Sequence, residues 1–215
     1  MKPIFLVNAG SSSMKWQLIE MPSEHVVANG QVERLNLPGS IVKVNVRGEK
    51  TKEIVGKLDE VTAIDRILER LTRLHIVESL NDIQAVGHRV VAGGTVFQSS
   101  VELTPACIEQ LRELSELAPL HNPLEVKCIE LLADKLPQVT QYAVFDSTYF
   151  ADLPEQTAIY GIPYDWTKDF QIRRYGEHGI SHRYLAQQAA AMLHKSLDQT
   201  SVITMHLAVG PPSRR

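Results

Sequence analysis

Residues 8–15 read NAGSSSMK, a glycine followed by three hydroxyls and a lysine. Gly10 permits a tight bend. Ser11, Ser12 and Ser13 offer hydroxyls to phosphate oxygens, and Lys15 adds a positive charge on a flexible stem. Successive backbone N–H groups in such a turn can make a concavity for an anion without a helix. The second glycine and the Gly-Lys-Ser/Thr of the P-loop are missing, which excludes that motif; a plain hairpin turn is the competing reading. In GHRVVAGG, residues 87–94, Arg89 ends a strand-like run before paired glycines. Its planar fork of donors suits a carboxylate or a phosphate, or else a surface ion pair. APLHNP at 118–123 is a Pro-bounded loop before a helix, where Asn122 can cap and His121 can donate. Asp146 in VFDST follows a buried-type strand, the place where open α/β sheets keep their sites. It can ligate Mg2+, polarise a nucleophile or cap a turn. RRYGEHGISHRY at 173–184 carries His178 and His182, whose spacing alone is weak for a metal. A histidine that steadies a developing phosphoryl charge fits that segment equally well.

These residues need elements to hold them. Residues 3–8 and 14–20 read as strands joined by the Ala9–Ser13 turn, and 25–34 and 41–46 as two more, with KEIVGKL a further candidate. From Thr62, a candidate N-cap with Asp65 three residues on, Ile64, Ile67, Leu68, Leu71 and Leu74 keep helical spacing. DIQAVGHRVV returns to a strand, Thr104-Pro105 opens a second helix, 123–136 is a third, and YAVF at 142–145 is a buried-type strand. Strands followed by alternating helix and strand predict a mixed sheet covered by helices. A new segment starts near 151. IYGIPYDW reads as a connection, Ser181 as the cap of a helix running to about His194, and SVITMHL at 201–207 as strand-like. A terminal strand without a later partner seeks another chain's edge, which predicts strand-mediated association or poor solubility.

A chain of 215 residues can bury a sizeable core, and its formal charge of -3 gives no support for nucleic acid or an acidic membrane as the main partner. Cys107 and Cys128 lack a C-x-x-C partner and fall in helical patterns, as small buried residues do. The apolar start is too short for a signal peptide, and no stretch approaches a membrane span. A cytoplasmic protein is expected.

Individually soft, these motifs share an order. NAGSSSMK, GHRVV-GG, APLHNP, FDS, RRYG-HGISHRY and ITMHL together resemble the acetate and propionate kinase family of the sugar kinase/Hsc70/actin superfamily, over residues 3–207. The resemblance implies an α/β fold with a mixed-sheet, ribonuclease H-like first domain at 1–150 and the incomplete start of a second at 151–215. It implies ATP and acetate, or another short-chain carboxylate such as propionate, giving ADP and acyl phosphate with Mg2+. By matching motif, Asn8 lies near the metal and phosphates, with Ser11, Ser12, Ser13 and Lys15 around it. Arg89 meets the substrate carboxylate, and Val91 and Leu120 line the pocket for its methyl group. Asp146 and His178 are the catalytic pair, the acid positioning nucleophile or Mg2+ and the histidine stabilising the transferring phosphoryl group. His206 sits near the phosphates. A homodimer formed through the second domain is the family's assembly.

The resemblance covers only the family's N-terminal half. A second arginine, the adenosine-binding loops and a late glutamate that helps hold Mg2+ have no counterpart, and a transition-state arginine alone is worth about 10³–10⁵ in rate in related transfers. The chain is therefore expected to be inactive alone, a phosphate-binding remnant being the non-enzymatic alternative. Its tail, HLAVGPPSRR, replaces the family's HLGSGASVAA in the manner of a one-base frameshift. Ala92 stands where the family commonly has histidine, and Glu177 where relatives carry Phe or Ala. An inward, ionised Glu177 repels a carboxylate at roughly 4 Å by about 4 kcal/mol at an effective dielectric near 20, enough to offset Arg89.

Overall fold

The computed structural model describes residues 2–207; the tail that carries the frameshift expectation, 208–215, lies outside them. Eight strands form one sheet: β1 (Pro3–Ala9), β2 (Ser13–Glu20), β3 (His25–Glu33), β4 (Ile41–Val46), β5 (Glu49–Ile54), β6 (Ala85–Val90), β7 (Val101–Glu102) and β8 (Thr140–Phe145). The helices are α1 (Glu60–Arg73), α2 (Pro105–Glu113), α3 (Asn122–Lys135), α4 (Glu155–Ala158), α5 (Tyr164–Phe170) and α6 (Gly179–Met192). Strand order is β5-β4-β3-β2-β1-β6-β8-β7. The first five run as an antiparallel meander, while β1, β6 and β8 are parallel neighbours. This is the mixed α/β sheet expected.

Period-two alternation divides the sheet into two faces. Phe5 and Val7 of β1, Met14, Trp16 and Leu18 of β2, and Val42 and Val44 of β4 are buried against Ile64, Ile67, Leu68 and Leu71 of α1 and Cys128 and Leu132 of α3. A second cluster joins Val90, Ala143 and Phe145 to Leu111 and Leu114 beyond the sheet and to Val126 and Ile129 of α3. Each fully buried side chain of this size contributes about 1.5–3 kcal/mol. The opposite face is polar. Register partners share a face, so Asn8, Lys15, Gln31, Lys43 and Lys52 make one row across five strands. Leu6, Gln17, Asn29, Asn45 and Lys50 make the next.

Several local expectations are corrected. α1 begins at Glu60, not after Thr62: extended Asp59 is the N-cap, and Thr62 reciprocates as its N3 partner in a capping box. The fifth strand precedes KEIVGKL's centre because Arg47 and Gly48 both take positive φ (50° and 93°) and close a two-residue hairpin. β7 is too short to leave a periodic signal, and α5 occupies part of the expected connection IYGIPYDW. α6 starts at Gly179, with left-handed His178 at the N-cap position instead of Ser181. Residues 201–207 form no strand. They are tied to α6 by side chains, His182 Nδ1 to Thr204 Oγ1 at 2.7 Å and His206 Nδ1 to Ser181 Oγ at 3.0 Å. The sheet's own edges are β5 and β7. No described helix is long and apolar enough to cross a membrane.

Candidate active site

Parallel pairing of β6 with β8, in register Arg89↔Val144, sets their C-terminal ends side by side. Arg89 is the penultimate residue of β6 and Asp146 follows the last residue of β8. The Arg89 Nε and Nη2 atoms donate to Asp146 Oδ2 at 3.1 and 2.5 Å, while Nη1 donates to Asn8 Oδ1 at 3.2 Å. Asp146 is almost fully buried and Arg89 is about a quarter exposed, so a partly solvated guanidinium compensates a desolvated carboxylate.

The second part arrives from α6. Gly179 packs so closely on the Asp146 carbonyl that any Cβ would collide with it. That contact brings His178, at φ 53°, to 3.9 Å between its Nδ1 and Asp146 Oδ2. The His178 ring stacks on His206, with centroids 4.2 Å apart and planes 17° from parallel. Asn8, Arg89, Asp146, His178 and His206 thus form a continuous chain of contacts. A trough of about 820 Å³ on the polar sheet face is lined by Asn8, Lys15 and Arg89, and by Val144 and Ile180.

Other expected residues stand apart. Ser11 and Ser12 occupy the exposed tip of the β1–β2 hairpin, which Gly10 and Ser13 close by mutual backbone bonds of 2.8 and 3.3 Å. Ser11, Ser12 and Ser13 are not among the side chains lining the trough. Val91 is half-buried, and Leu120 is 76% exposed. The bend there is held from beneath, by His121 and Asn122 amides donating to the Ala118 carbonyl at 2.9 Å, which turns Leu120 outward. Glu177 is exposed, which disfavours the inward placement that would repel a carboxylate. Arg89 donates to Asn8 Oδ1 and to Asp146 Oδ2 alone of the two carboxylate oxygens, and among the described residues no group of three His, Cys, Asp or Glu is placed to hold a metal.

The turn after Arg89 shows what sequence reasoning missed. Three successive amides are each taken by a side chain: Val91 N–H by Glu125 Oε2 at 3.0 Å, Ala92 N–H by Asn122 Oδ1 at 3.2 Å, and Gly93 N–H by Ser147 Oγ at 3.1 Å. Asn122 Nδ2 returns a bond to the Ala92 carbonyl at 3.0 Å. Asn122 therefore clamps the strand end and does not cap α3, whose N-cap position is His121. The i,i+3 spacing of Asn122 and Glu125 in a first helical turn, which places both on one face, was the available signal. Burial pushes the Glu125 carboxyl up to about 7. Nearby on β6, burial pulls His88 down to about 4, against a 2.5 Å contact with Gln141.

A sequence model of the Acetokinase family matches residues 3–212. The chain is 45% identical over 204 residues to acetate kinase 1 of Lactococcus lactis, covering 95% of this chain and 52% of that protein. It is 43% identical over 210 residues to the acetate kinase of Bacillus subtilis, covering 98% and 53%. Among solved structures it is similar to Porphyromonas gingivalis acetate kinase, with a TM-score of 0.85 at 40% identity over 93% of this chain and 51% of that one. A Francisella tularensis propionate kinase superposes with the same TM-score at 32% identity, over 91% and 50%. The chain spans about half the length of the curated relatives it matches.

Proposed function

This chain belongs to the acetokinase family, and from that premise we propose that it supplies the acid-recognition part of an ATP-dependent kinase for acetate or a similarly short carboxylate. The observation that carries this reading is the Asn8–Arg89–Asp146–His178 constellation at the ends of β6 and β8. In the proposed reaction an oxygen of the acid attacks the γ-phosphorus of ATP, the bond to the β–γ bridging oxygen breaks, and ADP leaves with that electron pair. Phosphoryl transfer of this kind needs alignment and charge neutralisation more than covalent help. The partly solvated guanidinium of Arg89 holds the acid. Asp146 fixes the guanidinium plane, and His178 and Lys15 meet phosphoryl charge. Mg2+ would enter with the nucleotide as MgATP, and the oxygens of Asn8 and Asp146 are the groups here that would hold it.

Residues 1–150 are read as the acid-binding unit and 151–207 as part of a second one, because both described apolar clusters lie within the first. Acid length is left to the open trough: acetate and propionate both fit, and the exposed Leu120 sets no wall against either. The test is hydroxamate trapping of acyl phosphate with MgATP and acetate, propionate or butyrate, beside NMR titration of the acids alone. Acid binding that disappears in Arg89→Met, with no acyl phosphate made by this chain alone, is the expected result. No acid binding would overturn the proposal, and binding of MgATP or inorganic phosphate without the acid would leave the non-enzymatic reading in its place.

A further inference from the structure

Glu125 is one of the most deeply buried charged residues described, at 2% relative exposure. One of its oxygens accepts the Val91 amide, and the other, Oε1, is buried with no hydrogen-bond partner. A buried carboxyl half satisfied in this way is destabilising, and its presence calls for an explanation. Its position on α3 shows what it serves. With Asn122 one turn earlier, it grips the backbone immediately after Arg89, at Val91 and Ala92. Helix α3 is itself anchored in both apolar clusters, through Cys128 and Leu132 in one and Val126 and Ile129 in the other. A rigid helix therefore holds the two residues that follow the arginine.

We propose that Glu125 is a positioning residue for acid recognition: it fixes the β6 end so that the Arg89 guanidinium lies against Asp146, partly solvated and accessible to the substrate carboxylate. This rests on the function proposed above for Arg89, but the placement of the guanidinium is measurable without substrate. The charged and titratable groups facing Glu125 are Arg89 from β6, Asp146 from the turn after β8, and Cys128 from α3 itself. Arg89 favours ionised Glu125 and Asp146 opposes it, while burial dominates both. Cys128, pushed up to about 12 by burial, stays neutral. The Val91 contact thus carries a neutral carboxyl below about pH 7 and a charged one above it.

The experiment is 15N NMR of the full chain from pH 5 to 9, following the Val91 amide and the Arg89 Nε–Hε signal in wild type, Glu125→Gln and Glu125→Ala. In wild type both signals are expected to titrate together near pH 7. In Glu125→Gln, which keeps an acceptor for Val91, the Val91 signal should stay flat with pH and close to its low-pH wild-type position, and the Arg89 signal should lose the change it shares with Val91. In Glu125→Ala, Val91 exchange protection should fall about five- to tenfold, the worth of one hydrogen bond, and the Arg89 signal should move toward solvent values. An Arg89 signal unchanged across all three proteins and all pH values overturns the proposal, whether or not acetate binds. An Arg89 signal that titrates unchanged in Glu125→Gln also overturns it. Acetate added last separates the two readings: absence of binding in wild type counts against the proposed function alone.

Discussion

At the scale of single residues, the Arg89–Asp146 pair sets the energetics of the site. Asp146 retains only 3% side-chain exposure, so removing its partner leaves a carboxylate in a poorly solvated pocket. Arg89→Met is predicted to destabilise the fold by about 2–3 kcal/mol, below the range for fully buried pairs because Arg89 is partly exposed. Urea unfolding measures it, and adding Asp146→Asn should recover a large share. A second prediction concerns two buried groups whose linkages oppose each other. Glu125 is raised, so its contribution is fully present below its ordinary pKa of 4.5 and is lost as pH rises through about 7. His88 is lowered, so the penalty for keeping it neutral is felt as pH falls from 6.5 toward about 4. Between pH 4.5 and 6.5 their slopes cancel. Glu125→Gln should therefore unmask a rise in stability with pH, with a limiting slope of about 1.4 kcal/mol per pH unit relative to wild type. Parallel stability–pH curves for the two proteins would refute the assignment.

At the scale of elements, α1 is held at its start by the Asp59–Thr62 box, with Thr62 N–H donating to Asp59 Oδ1 at 2.9 Å and Asp59 N–H to Thr62 Oγ1 at 3.0 Å. Asp59→Ala should cost about 1 kcal/mol in thermal or urea unfolding. Those hydrogen bonds hold the Asp59 carboxyl below its usual range, so its contribution is present above that range and fades as pH falls through it. Thr62 and Asp65 suggested a start three residues late because Ser/Thr-x-x-Glu is the commoner order of the box, and here acid and hydroxyl exchange places. Strong periodicity made β1, β2, α1 and α3 readable. Two further misses depend on contacts distant in sequence. β7 is only two residues long and exists through pairing with β8. α6 starts where Gly179 meets the Asp146 carbonyl, 33 positions earlier. At the site, Arg89 and Asp146 were visible because strand-end chemistry has a local signature. Glu125 was not, since a glutamate in a helix's first turn is ordinarily a solvated residue complementing the helix dipole, and only the packed structure turns it inward.

At the scale of the molecule, order is unevenly distributed. The two apolar clusters lie between Phe5 and Phe145, whereas Trp166, Phe170, Met192, Ile203 and Leu207 are more than half exposed. Hydrogen exchange followed by mass spectrometry should show 151–207 exchanging well ahead of β1, β6 and β8; equal protection throughout would contradict the division proposed at 150. Edge pairing, expected from the sequence, is disfavoured by the edges themselves. β5 is exposed along its length and carries Glu49, Lys50, Lys52 and Glu53, and β7 is two residues long. Any self-association should run instead through apolar side chains of 160–207.

The alternation of β5 also sorts charge through the thickness of the sheet. Glu53 reaches Arg66 and Arg70 of α1 on one side, while Lys50 and Lys52 join Lys15 and Lys43 on the other, where Glu33 alone pairs with Lys43 among the described residues. A protein with a calculated isoelectric point of about 6.2 should consequently be retained on a cation-exchange column at pH 7 and low ionic strength, adsorbed by a single side, and released at modest salt.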